Sequence, residues 1–282
     1  MPHALPLLEP GRTLGVIGAG VMGQTLVKGL LNSGVVEREQ VWAAAKSQAS
    51  CDKVAGTLGI SVETDYRGRI PATGILLLCV KPAQAPKVLA AVQQAQLPAD
   101  ALLISIMAGT AIERLEGMLG TANPWVRAMP NTSAIVGHGM TVICAGRTAT
   151  AEHLARAHRV FAEVGRCLAV DETYFNAVTA LSGSGPAYIY LIIEALADAG
   201  VRVGLPRDLA LTLVTQTMLG AARMVQETGR HPAALRDDVT TPAGCTIGGL
   251  LMLEDGKIRS VLARAVEEAA RIAAELGRPT TP

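Results

Sequence analysis

The sequence predicts an α/β protein in two parts: a doubly wound, mainly parallel sheet over residues 12–170, then an all-helical region over 171–282. Three observations carry this. Short runs of Val, Ile and Leu alternate with helix-like segments from Thr13 to about Val170; a glycine-rich turn follows the first run at once; and beyond Asp171 the strand signals stop. Strands that are apolar along their whole length, alternating with helices, belong to parallel sheets covered on both faces.

Taken in order, the predicted strands are 13–17, 40–45, 74–80, 101–106, 125–129 and 139–145. Helices are predicted near 21–33, 47–58, 83–95, 110–119 and 151–164. Thr110-Ala111-Ile112-Glu113 has the capping-box pattern and marks a helix start. In the second part Pro186 and Pro206 suit first-turn positions and open helices of about 187–203 and 206–228, with Ser184 as a cap for the first of them. A further helix starts near Gly244, and the last runs from about Lys257 to Leu276. Tyr188–Ile193 is apolar on every face, which predicts burial from all sides. A small helical region cannot supply that alone, so this segment is expected to meet a second copy of the chain; the alternative is burial against the first part. The first ten residues and Arg278–Pro282 are expected to be disordered tails.

Composition narrows the function. Half of the 282 residues are apolar and the mean hydropathy is +0.34, yet the longest apolar stretch, Ala187–Val203, carries Glu194, Asp198 and Arg202. No uninterrupted run reaches the roughly 18 to 20 residues of a bilayer span, so no membrane association is expected. With a net charge of +1 and no basic block, no nucleic-acid partner is expected either. Five scattered cysteines without CxxC pairing argue against a disulfide framework and against structural zinc, and the five histidines lack metal-ligand spacing, so no metal is predicted. The N-terminal residues lack a basic n-region and a long apolar h-region, so no secretory signal is read and a cytoplasmic location is expected.

Gly18-Ala19-Gly20-Val21-Met22-Gly23 follows the first strand and opens the first helix, the context that gives a GxGxxG pattern meaning as a dinucleotide fingerprint. Gly18 permits the tight turn, Gly20 lets the backbone approach a pyrophosphate, and Gly23 allows close helix–strand packing. The first part is therefore expected to be a Rossmann-like NAD(P)-binding domain. After the second strand the chain reads Ala45-Lys46-Ser47-Gln48, where an NAD-preferring site would place Asp or Glu. A cation and a hydroxyl suit a 2′-phosphate, so NADPH is predicted, with NADH possible and Lys46 and Ser47 as ligands; a solvated surface lysine is the alternative. Val80-Lys81-Pro82 and Met107-Ala108-Gly109 end the third and fourth predicted strands and border the same cofactor crevice. Lys81 fits either a proton donor or a support for backbone geometry.

Three later segments are more specific: Met129-Pro130-Asn131-Thr132, Leu181-Ser182-Gly183-Ser184-Gly185-Pro186-Ala187-Tyr188, and Asp237-Asp238-Val239-Thr240-Thr241-Pro242-Ala243-Gly244-Cys245-Thr246-Ile247. With Val80-Lys81-Pro82 and Gly204-Leu205-Pro206, the chain resembles the pyrroline-5-carboxylate reductase family from about Thr13 to Leu276. The resemblance implies NAD(P)H-dependent reduction of 1-pyrroline-5-carboxylate to L-proline, the last step of proline biosynthesis. It also implies a helical dimerisation and substrate-binding domain that interlocks with a partner's, in homodimers that often assemble into decamers. By that resemblance Gly244, Cys245 and Thr246 bind the substrate, the backbone of Cys245 and Thr246 holding its carboxylate, and the Thr246 hydroxyl, the catalytic group, serves the ring nitrogen. A capping hydroxyl is the alternative for Thr246. Ser182 fits a substrate contact or a loop role. Asn131 orients the cleft near the nicotinamide, or else forms an Asx turn before Thr132. Ser133 stands where the family often has Pro, Cys245 where Ala is common, and Tyr66 where many members have Asn near the adenine ribose.

Two other readings remain open. One is a 3-hydroxyacid-type dehydrogenase on a similar plan, which needs a catalytic Lys on a long helix; 187–203 and 206–228 contain none. The other is a non-catalytic NADP-binding regulatory protein.

Overall fold

The computed structural model describes residues 6–276. The expected tail at Arg278–Pro282 and the first five residues of the expected N-terminal tail lie outside that range. Within it the tail reading fails at Leu7 and Leu8. Both side chains are buried, and Arg156 Nε donates to the Leu7 carbonyl at 3.1 Å.

Eight strands form one sheet: β1 (Thr13–Ile17), β2 (Val41–Ala44), β3 (Ser61–Glu63), β4 (Thr73–Leu78), β5 (Leu102–Ser105), β6 (Trp125–Met129), β7 (Gly139–Ala145) and β8 (Gly165–Ala169). Their spatial order is β3-β2-β1-β4-β5-β6-β7-β8, parallel throughout except for the antiparallel pair β6–β7. Five helices accompany the sheet: α1 (Val21–Asn32), α2 (Gln48–Leu58), α3 (Ala85–Gln94), α4 (Ile112–Leu119) and α5 (Ala151–Ala162). Both faces are covered. Ile75 and Leu77 of β4 join one apolar cluster with Leu26, Val54 and Phe161; their neighbours Leu76 and Leu78 join the other with Leu89 and Leu115. Burial on both sides is why β4 reads as an unbroken apolar run. Two strands escaped the sequence reading because they are edges. β3 is three residues long, and of β8 only Cys167 is fully buried, so neither carries the apolar signature.

The capping box expected at Thr110 does not form. Ala111 is the N-cap of α4 without a side-chain bond, and Thr110 Oγ1 turns back to the Ala108 carbonyl. The first free N–H of the helix, that of Ile112, instead donates to Glu172 Oε1 at 2.9 Å, sixty residues away in sequence. A carboxylate at a helix N-terminus supplies both an acceptor and a favourable charge, and outcompetes a local hydroxyl.

Beyond the sheet the described chain is helical: α6 (Phe175–Val178), a π-turn (Thr179–Gly183), α7 (Gly185–Arg202), α8 (Arg207–Thr228), α9 (Pro232–Asp238), α10 (Cys245–Asp255) and α11 (Ile258–Leu276). Ser184 does not cap a new helix. Its backbone is helical (φ −84°, ψ −20°), and the helical course runs from α6 through the π-turn into α7. The chain divides into two compact units: residues up to Ser184 with those from Ala269 onward, and Gly185–Glu268. Nearly all of the buried apolar side chains belong to the first; in the second the buried residues are Ala197 and Ala210. The second unit by itself does not enclose the Tyr188–Ile193 segment: Tyr190 is 60% exposed and Leu191 65%. By length and composition Glu172–Arg202 is apolar enough to cross a membrane, with a mean hydropathy of 1.2. A helix covered by a protein partner has the same composition.

Candidate functional site

In the first unit the predicted cofactor residues gather at the carboxyl ends of the parallel strands. The strand order reverses between β1 and β4, the switch point at which open α/β sheets take up ligands. The glycine turn lies there. Gly18 has φ +105°, and a Cβ on it would sit 2.5 Å from the Cys79 carbonyl oxygen at the end of β4, so only glycine closes this turn. The turn is fixed by Gly18 N–H and Ala19 N–H donating to the Ala44 carbonyl at 3.1 and 3.0 Å. Gly20 is the N-cap of α1 with no side-chain cap, and a Cβ built there would meet nothing within 4 Å. The first-turn N–H groups of Val21, Met22 and Gly23 thus border an unfilled approach, a donor set suited to a phosphate. Gly23 packs on the turn itself, 2.5 Å from the Gly18 carbonyl oxygen by the same construction. Beside it burial pushes the Cys79 thiol up to about 12, so this neighbour stays neutral.

The remaining strand ends differ in what they offer. Lys46 is exposed, and Ser47 is the N-cap of α2, accepting from the Ser50 N–H at 3.4 Å. Lys81 is exposed at the start of a single 3₁₀ turn, Pro82–Gln84, with Val80 half-buried before it. The Met107 side chain is buried in the core, leaving backbone as its contribution, and Gly109 turns with φ +66° next to half-buried Ala108. Tyr66, after β3, stacks on Trp42 with centroids 6.1 Å apart. Burial raises its phenol above the usual range.

Asn131 follows β6 and is bonded at both ends of its amide. Its Oδ1 accepts the Met140 N–H at 3.1 Å, and its Nδ2 donates to the Ser182 carbonyl at 3.2 Å. Neither bond is the Asx turn that stood as the alternative for this residue. Ser182 lies in the π-turn, which Ser184 N–H closes onto the Thr179 carbonyl at 2.8 Å. Gly183 packs against the Met129 methyl group. The Ser182 hydroxyl is buried without a hydrogen-bond partner.

The sequence reading missed the node beneath this turn. Arg127, 5% exposed in β6, pairs with Glu172 at 2.9 Å and lies 4.5 Å over the Phe175 ring. The same Glu172 oxygen caps α4, and Thr179 Oγ1 donates to the Phe175 carbonyl at 2.7 Å. A lone arginine inside an apolar strand was the available signal.

In the second unit the predicted substrate residues sit at the start of α10. Gly244 N–H donates to the Thr241 carbonyl at 3.1 Å, closing a β-turn with Pro242 second and Ala243 third. Ala243 has φ +57°, a conformation glycine favours. A Cβ on Gly244 would collide with the Thr241 hydroxyl. Gly244 is the N-cap without a side-chain bond, so the N–H groups of Cys245 and Thr246 are free at the positive end of an eleven-residue helix. Thr246 is the second helical residue, and its hydroxyl has no partner among the described residues, so it does not serve as a cap. Cys245 is exposed. No cluster of metal-ligating side chains occurs among the described residues.

Two family models match. Residues 172–276 match pyrroline-5-carboxylate reductase dimerisation, and residues 13–109 match NADP oxidoreductase coenzyme F420-dependent. A pyrroline-5-carboxylate reductase of Pisum sativum is 42% identical over 272 residues, covering 96% of this chain and 98% of the relative. One from Methanosarcina acetivorans is 41% identical, covering 94% and 98%. Among solved structures, a pyrroline-5-carboxylate reductase from Coxiella burnetii superposes with a TM-score of 0.88 at 33% identity, covering 95% of this chain and 100% of that one. The Plasmodium falciparum pyrroline carboxylate reductase with NADP bound gives 0.85 at 31%, covering 95% and 98%.

Proposed function

The chain belongs to the pyrroline-5-carboxylate reductase family, and on that premise we propose a role for each part of its site. The protein is an NAD(P)H-dependent oxidoreductase that reduces the C=N bond of 1-pyrroline-5-carboxylate to L-proline. Bound NADPH supplies the hydride. The turn Gly18–Gly23 takes the pyrophosphate on the open side of Gly20, where the donors at the α1 N-terminus are unspent. Lys46 and the Ser47 hydroxyl take the 2′-phosphate, which favours NADPH over NADH. Val80–Pro82 and Met107–Gly109 border the rest of the cofactor through backbone.

Cys245 and Thr246 N–H donate to the substrate carboxylate, and the Thr246 hydroxyl hydrogen-bonds the ring nitrogen. An imine accepts hydride at carbon only when its nitrogen is protonated or strongly hydrogen-bonded. A fixed hydroxyl does this without a titrating side chain. The observation that carries this reading is the uncapped start of α10: two free N–H groups and one unpartnered hydroxyl, presented by a turn that costs backbone strain. We assign Ser182 to the substrate as well, supported by its hydroxyl being buried and unpartnered. The lack of lysine in α7 and α8 disfavours a 3-hydroxyacid dehydrogenase.

The enzyme is an oligomer that acts on a small molecule. We assign a homodimer to the helices of residues 172–276, with further assembly of dimers up to a decamer, and a cytoplasmic location. Light scattering of the purified protein measures the assembly.

The test is direct. NADPH oxidation on adding pyrroline-5-carboxylate is expected, and none above background overturns the reading and leaves the non-catalytic one. Thr246→Ala is expected to lower kcat about a hundredfold with NADPH affinity unchanged. Equal loss of both makes Thr246 structural.

A further inference from the structure

Pro186 stands four residues after Ser182 and has no N–H, so the Ser182 carbonyl loses the partner an α-helix would give it. Asn131 Nδ2 fills that vacancy at 3.2 Å, while its Oδ1 is anchored on the Met140 N–H of β7 at 3.1 Å. The turn that results is π, closed by Ser184 N–H on the Thr179 carbonyl. Its wider ring leaves the Ser182 hydroxyl buried and unpartnered, one of three buried side-chain polar atoms in that state among the described residues, the others being indole nitrogens. A buried hydroxyl without a partner is costly, and π-turns recur at functional sites.

We propose that Asn131 is a positioning residue for the substrate and not a cofactor ligand: by replacing the N–H that Pro186 lacks, it holds the turn in its π form and keeps the Ser182 hydroxyl unspent for the reactant. This rests on the assignment of Ser182 to the substrate. Each end of the Asn131 amide is committed to one partner within the chain, which fixes its orientation; the second N–H of Nδ2 is left over, and the NADPH Kd of Asn131→Ala reads whether the cofactor uses it. An α-turn here would bring the Ser182 hydroxyl within reach of its own i−4 carbonyl and spend it locally.

The experiment compares Asn131→Ala, Ser182→Ala, their double variant, and Asn131→Ala with Pro186→Ala added, all as the full chain. Asn131→Ala is expected to raise the KM for pyrroline-5-carboxylate about tenfold, with the NADPH Kd unchanged. Ser182→Ala is expected to do the same, and the double variant to be no worse than either single one, because both changes remove one interaction. Adding Pro186→Ala restores a helical N–H to the Ser182 carbonyl, so the Tm lost in Asn131→Ala is expected to return while KM does not. Recovery of KM together with Tm would show that Asn131 only satisfies a carbonyl, and would overturn the proposal. So would an NADPH Kd that rises with KM, or effects of the two single variants that multiply. A silent Ser182→Ala removes Ser182 from the substrate, and the proposal with it. An effective Ser182→Ala beside a silent Asn131→Ala overturns the proposal alone. If Asn131→Ala does not fold, Asn131→Asp keeps the acceptor for Met140 and carries the same expectations.

Discussion

Leu77 in β4 and Leu191 in α7 are the same residue type in opposite situations. The first is wholly buried in the sheet; the second is 65% exposed, with Tyr190, Leu211 and Met252 exposed in the same unit. The first unit hides its apolar side chains within one chain, on both faces of a sheet. The second unit fully buries two alanines and leaves many of its large apolar side chains exposed. What makes the difference intelligible is that the match to a dimerisation family covers residues 172–276, the helical part. The sheet unit buries its own apolar core and carries the match to an NADP oxidoreductase family over residues 13–109. In the proposed homodimer the helical unit is completed by another copy, which would also account for a composition that passes for a membrane span.

The largest test of this contrast is a charge on the exposed face. Leu191→Glu costs under about 0.5 kcal/mol if the position faces water, but several kcal/mol, on the order of 3–5, if it is buried unpaired between chains. Monomers in sedimentation and loss of nearly all activity are expected; an unchanged mass and activity would break the comparison. Leu77→Ala is its counterpart. It is expected to cost about 3 kcal/mol through a cavity in a single-chain core. The drop in Tm should not depend on protein concentration, whereas that of Leu191→Glu should. A concentration-dependent Leu77→Ala would mean that the first unit, too, is completed by its partner.

The two units were also unequally legible. Six strands were readable because residues such as Ile75–Leu78 are buried on both faces and so spell an unbroken apolar run. β3 and β8 were not, because an edge strand keeps only part of that pattern. The glycine turn was legible because its constraint is local: Gly18 must have positive φ whatever surrounds it. The replacement of Thr110 by Glu172 at the α4 start, and the clamp of Asn131 on Ser182, depend on partners 60 and 51 residues away that no local pattern announces. In the second unit the apolar helix was legible as a helix, and the match to a dimerisation family over residues 172–276 agrees with its reading as a contact between copies. The short α9 and the left-handed Ala243 were missed, the latter because alanine gives no sign of a turn that glycine would have advertised.

If the first unit alone sets cofactor choice, Lys46→Ala is expected to raise the KM for NADPH about tenfold, the worth of one charge-assisted hydrogen bond, and to leave the NADH value in place. An unchanged NADPH/NADH ratio would take Lys46 out of the 2′-phosphate site. A fall in kcat with either cofactor would show that the division of labour between the units is wrong.

The smallest effect distinguishes where each unit tolerates strain. Among the described residues, the non-glycine residues with positive φ are Gln96 in the first unit and Ala243 and Lys257 in the second. Left-handed backbone costs an L-residue roughly 1–2 kcal/mol, and the greater freedom of an unfolded glycine takes back about 0.4–1 kcal/mol. Ala243→Gly and Gln96→Gly are therefore both expected to stabilise by about 0.5 kcal/mol in urea, with an unchanged m-value. For Gln96→Gly the gain should be the same at every protein concentration, because its unit is complete within the chain. Ala243 differs, since it lies in the turn that presents the Cys245 and Thr246 donors. Relief of strain there also loosens that turn, so Ala243→Gly is expected to gain stability while the KM for pyrroline-5-carboxylate rises a few-fold, about 0.5–1 kcal/mol of lost preorganisation. If Ala243→Gly instead destabilises, its methyl group is packed by a partner chain, and the strain belongs to the interface and not to the catalytic turn.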